Sequence, residues 1–149
     1  MGETIAIIFI FMVIMVFGSL FYARVVRSGT VVKQEESLQQ KAIEVAQKVS
    51  FLPEIQCSEG NIAIENCIDI FKVDSAADIM SKNRIFYYDN FGFSSITIVK
   101  IFPDDDSWLI YENAPEKYTD QKTTFVPISL FEPRTKDFSF GYIKVEVYK

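Results

Sequence analysis

From Ile5 to Ala23 the chain runs without a charge, and its apolar side chains leave no polar face. A helix of nineteen residues rising 1.5 Å per residue covers roughly 28 Å, close to the ~30 Å hydrocarbon core of a bilayer. Tyr22, Arg24 and Arg27 follow, an aromatic and two snorkelling cations suited to the membrane–water boundary. The pattern predicts an N-terminal transmembrane anchor over residues 1–27, with Ile5, Phe9, Val13, Phe17, Tyr22 and Arg24 among its anchoring side chains. Burial of such a helix inside a soluble domain requires apolar cover on every side, more than a small chain supplies. A cleaved secretory signal has a basic start and an apolar core of ~7–15 residues. Here Glu3 precedes the run, the run is longer, and Phe21 disrupts an A-x-A site ending at Ala23. An uncleaved single span is the expectation.

Ser28-Gly29-Thr30 reads as a short breaker, and a second pattern begins beyond it. Leu38, Ala42, Val45, Val49 and Leu52 recur at spacings of four, three, four and three, one apolar stripe on a helix that Pro53 ends. Glu35 and Glu36 near its start and Lys48 near its end suit the helix dipole. This amphipathic stalk occupies residues 28–53, and its stripe packs either on the protein's own sheet or on neighbouring copies.

Residues 54–149 are expected to form a β-rich head, where the period falls to two. "NIAIENCIDIF" predicts one or two short strands, and "DSAADIMSK" a brief helix capped by Asp74 or Ser75. "RIFYY" reads as a strand with "DNFG" as its turn. Further strands are "FSSITIVKIF", "WLIYE", "TFVPISLF" and "FSFGYIKVEVYK", with Pro127 marking an edge or a bulge in the third of these. In the last, Ile143, Val145 and Val147 share one face and Tyr142, Lys144, Glu146 and Tyr148 the other, as in an antiparallel sheet wet on one side. The expected fold class is α+β: an N-terminal transmembrane helix and an amphipathic helix packed on an antiparallel β-sheet.

Composition narrows the function. The 149 residues carry a net charge of −5, and from Ser28 onward 13 Lys and Arg stand against 19 Asp and Glu. An acidic domain repels phosphate backbones, so nucleic acid is not an expected partner. Histidine is absent, which removes the commonest general base and metal ligand. No Gly-rich phosphate loop, Ser-x-x-Lys context or other catalytic constellation stands out, so neither an enzyme nor a cofactor is expected. Asp104, Asp105 and Asp106 are the candidate metal ligands, as a calcium loop. They lack EF-hand spacing and sit where Asp forms turns between strands. The aromatic cluster Phe86, Tyr87, Tyr88, Phe91 and Phe93 either fills the core or forms a binding surface.

Cys57 and Cys67 bracket the polar loop "CSEGNIAIENC". The pair is too small for a structural zinc site and is not C-x-x-C. A disulfide places the head in an oxidising compartment, whereas two free thiols leave the compartment open. Arg24, Arg27 and Lys33 pull the other way, because the positive-inside rule assigns them to the cytoplasm. The expected location is the cell membrane, single-pass, with the C-terminal domain extracytoplasmic.

This order of elements resembles the type IV pilin and pseudopilin plan: an apolar N-terminal span, an amphipathic helix, then an antiparallel sheet with a disulfide loop. The resemblance implies processing after a glycine, here Gly2, leaving Glu3 as the first mature residue. It also implies a homo-oligomer formed through the N-terminal helix, in a surface filament. The role expected is a membrane-anchored structural subunit. The alternative is a membrane-tethered extracytoplasmic module that binds a protein or polymer partner.

Overall fold

A computed structural model describes the backbone of residues 2–60 and 62–149, and the side chains of residues 7–24, 35–60 and 62–149. The fold is α+β. Helix α1 spans Gly2–Ser50, strands β1 and β2 span Gln56–Glu59 and Ile62–Asp69, and helices α2 and α3 span Ile70–Lys82 and Arg84–Phe91. Strands β3 (Ser94–Phe102), β4 (Asp106–Glu112), β5 (Gln121–Glu132) and β6 (Asp137–Tyr148) complete the chain.

The breaker expected at Ser28-Gly29-Thr30 does not interrupt α1, whose helical backbone continues through all three residues. An interior glycine costs a helix only about 1 kcal/mol relative to alanine, and no proline is present to remove a hydrogen bond. The chain divides into two compact units, Met1–Ser37 and Leu38–Lys149. The boundary therefore falls inside the expected 28–53 stalk, and the helix from Leu38 onward belongs to the same unit as the head. Backbone bonds from Phe51 to Gln47 and from Leu52 to Val49 close α1 just before Pro53.

In the second unit six strands form one sheet in the order β1-β2-β5-β6-β3-β4. Every pairing is antiparallel except β2 with β5, where Cys67, Ile68 and Asp69 run parallel to Ser129, Leu130 and Phe131. Because β2 covers only that end of β5, Pro127 lies where β6 is the sole described neighbour, and the missing N–H costs no ladder bond on the β2 side. The edge character read from Pro127 is thus local to the first half of an interior strand.

One face of the sheet builds the core. Ile96, Ile98, Ile143, Val145, Val147, Ile128 and Leu130 meet Leu38, Ala42, Val45 and Val49 of α1, with Leu52 partly buried against them. These stripe residues are spent on the protein's own core, so they are not available to pack against neighbouring copies. Gly141 is required at the centre: a Cβ there would stand 2.3 Å from the carbonyl oxygen of Val99 and 2.8 Å from Leu130.

Two local expectations are corrected. Helix α2 begins at Ile70, earlier than "DSAADIMSK", and its cap is Asp69, whose carboxylate accepts from the Phe71 N–H at 3.0 Å, not Asp74 or Ser75. "RIFYY" is not a strand but part of α3. Its β-forming residues are overridden by tertiary burial: in α3, Tyr87 and Phe91 lie one turn apart, stack at 6.0 Å and enter the core together. The chain then turns at Gly92, whose φ of +62° favours glycine.

Candidate functional site

Two surfaces stand out, and neither is a pocket of convergent catalytic groups. The first is the segment Ile7–Arg24 of α1, long and apolar enough to cross a membrane, with none of its residues buried. Phe9, Val13, Phe17, Tyr22 and Arg24 are all exposed along it. A helix with apolar side chains on every side and no protein cover within the chain is compatible with a membrane anchor. Its one internal side-chain bond, Ser19 Oγ to the Val16 carbonyl at 2.9 Å, satisfies the hydroxyl without water. Gly2, Glu3 and Ile5 lie on its helical backbone, and their side chains fall outside the described residues.

The second surface is the sheet face opposite the core. Alternation along β5 and β6 turns Phe125, Pro127, Ser129 and Phe131 to the same side as Lys144, Tyr142, Phe140 and Phe138, their respective cross-strand partners. Phe102 of β3 lies directly opposite Phe140, and Val99 opposite Tyr142. The rings also touch: Phe125 meets Tyr142 edge-on at 5.5 Å between centroids, and Phe131 meets Phe138 at 5.0 Å. Phe102, Phe125, Phe138 and Phe140 are 69%, 59%, 64% and 55% exposed, so no element of the second unit covers them. The charged pair within this face, Lys144 and Glu146, is bridged at 3.1 Å, and Gln121 donates to the same glutamate at 2.8 Å. Period-two alternation announced the wet side of β6. That its neighbours add phenylalanines to that side follows from register, which the sequence does not display.

The remaining candidates are placed as follows. Cys57 and Cys67 form a disulfide, with Cα atoms 5.4 Å apart, that ties β1 to β2, and both are buried. Asp104 and Asp105 lie in the β3–β4 turn and Asp106 opens β4, its Oδ1 accepting from the Ser107 N–H at 2.9 Å. Among the described residues no three His, Cys, Asp or Glu side chains gather as a metal site. The aromatic cluster divides: Tyr87 and Phe91 of α3 are core, while Phe86 and Tyr88 of α3 and Phe93 just beyond it remain exposed.

Tyrosines carry the main electrostatic departures. Burial pushes the Tyr87 phenol up, aided by the charge and hydrogen bond of Glu54, to which its hydroxyl donates at 3.3 Å. Burial likewise raises Tyr111, whose hydroxyl donates to the Gly92 carbonyl at 3.0 Å, and Tyr148. Each of these phenols therefore keeps its proton to a higher pH than a free tyrosine does. On α1 the exposed Glu44 carboxyl is lowered by its hydrogen bond with Lys48.

No protein-family model matches this chain, and neither the curated proteins nor the solved structures compared with it contain a match.

Proposed function

We propose that this chain is a membrane-anchored structural subunit, pilin-like or pseudopilin-like, that assembles through its N-terminal helix. The observation that carries this reading is the bare apolar segment Ile7–Arg24 at one end of α1, when the same helix from Leu38 is built into a folded head. Exposed apolar surface of that extent has to be covered, by lipid or by like helices. The Cys57–Cys67 disulfide supports an extracytoplasmic head, because such bonds persist in oxidising compartments. Type IV pilin-like processing at Gly2 belongs to the same proposal.

The test is photo-crosslinking between copies from a benzoylphenylalanine placed at Phe11, in native membranes, with imaging of surface material from the same cells. Adducts of twice the chain mass, together with filaments, are the expected result. A strictly monomeric protein that yields no adduct overturns the assembly claim. A second reading, a tethered module for a protein or polymer partner, is favoured by the aromatic sheet face. It predicts capture of a partner by the full chain in mild detergent, with no self-association.

A further inference from the structure

We infer that the aromatic face of the sheet is a second self-association surface, on which the head of one copy packs face to face with the head of another. This goes beyond assembly through the N-terminal helix and does not depend on it. The face is continuous across three strands, from Phe102 on β3 through Phe140 and Tyr142 on β6 to Phe125 and Phe131 on β5.

Its size fits a copy of itself. With ~200 Å² of accessible area per phenylalanine, the four most exposed rings alone present about 500 Å². Val99, Pro127 and the half-exposed Leu109, which lies opposite Thr97 on the same face, extend the patch toward the ~800 Å² per partner of a stable interface. A two-fold axis would set this apolar face against its own copy, ring rows against ring rows, and aligned sheets pack about 10 Å apart through interdigitating rows of this kind.

Charge argues against a membrane as the occupant. The centre of the face holds no unpaired charge, because Lys144 is bridged to Glu146. Just beyond Phe102, Asp104 and Asp105 of the β3–β4 turn and Asp106 at the start of β4 follow one another, and the unit from Leu38 onward has 12 Lys and Arg against 17 Asp and Glu. An anionic leaflet repels such a surface, and because a second copy carries the same acidic residues, the contact is confined to the apolar part of the face, where Lys144 and Glu146 neutralise each other. Copies that share a membrane also meet at high effective concentration, so a modest contact suffices.

The full chain in native membranes tests this, with benzoylphenylalanine in place of Phe140 and, separately, of Ile85, an 89% exposed residue on α3 away from the face. Adducts of twice the chain mass from position 140 and not from position 85 are expected. Phe125→Ser combined with Phe138→Ser is expected to cut the position-140 adduct about tenfold, since buried aromatic anchors carry most of an interface's affinity. Both phenylalanines are more than half exposed, so an unchanged thermal transition of the double variant confirms that folding is intact. Lipid adducts alone, adducts to a different protein alone, or equal yield from positions 85 and 140 overturn the inference. The position-11 probe separates the two proposals: dimers from position 11 without dimers from position 140 leave helix assembly standing and remove the sheet contact. The reverse pattern removes helix assembly and leaves the sheet contact.

Discussion

Helix α1 carries two apolar stretches that meet the same requirement in opposite ways. In Ile7–Arg24 apolar side chains point in every direction and none is buried. In the last part of the helix Leu38, Ala42, Val45 and Val49 keep to one side, and all four are buried against the sheet. A one-sided stripe can be covered by a single layer of protein, and the charged residues Lys41, Glu44 and Lys48 face water beside it. An all-round surface cannot be covered by one layer, so its environment must be apolar on every side.

The largest expected effect separates the two stretches by environment. Val13→Arg combined with Phe17→Arg places two charges near the middle of the apolar segment, each costing about 2.5–3.5 kcal/mol on insertion. The variant is expected to be lost from carbonate-washed membranes, while the thermal transition of the head stays where it was. Retention in the washed membranes would show that this segment is not the anchor.

Val49→Asp makes the converse change, an uncompensated charge in the core that costs about 3–5 kcal/mol. Membrane retention is expected to persist while the cooperative melting of the head is lost. A normal melting curve would contradict the burial of the stripe.

Next is the covalent tie. Cys57→Ser with Cys67→Ser releases a small loop whose closure contributes roughly 2–3 kcal/mol in the chain-entropy model. A fall in the melting temperature of the head by roughly 10 °C is expected in calorimetry, with membrane retention unaffected. A shift of only a degree or two would mean that β1 and β2 hold their pairing without the bond.

The smallest effect is a pH dependence confined to the head. Tyr87, Tyr111 and Tyr148 have phenols raised above their ordinary value of 10.0, so the folded state holds these protons more tightly than the unfolded chain does. Their stabilising contribution is complete below pH 10.0 and is lost as the pH rises through that value toward the raised ones. Denaturant midpoints measured between pH 8 and pH 11 are expected to fall at the alkaline end, less steeply in Tyr87→Phe. An unchanged slope in that variant would remove Tyr87 as a contributor.

Much of this architecture was legible along the chain because it rests on local periodicity. The charge-free run marked the apolar segment, the four-three spacing marked the buried stripe, and alternation in "YIKVEVY" marked which face of β6 is dry. Capping and helix continuity were less legible. Gly29 resembles a stop signal, yet a single interior glycine costs a helix only about 1 kcal/mol, and the helical backbone continues through it. The segment "RIFYYDNF" has strand-forming residues and is a helix, because the core gains more by taking in Tyr87 and Phe91 from one helical face.

What the sequence by itself determined is therefore each element's own preference for an apolar surrounding: all-round for residues 7–24, one-sided for the stripe and the strands. Tertiary structure alone decided which strands became neighbours. The parallel entry of β2 beside β5 and the meeting of Phe102, Phe140, Phe125 and Phe131 on one face depend on pairings between residues far apart in the chain. Such pairings are set by the total free energy of closing the sheet over its core, a sum over the whole fold that no local pattern contains.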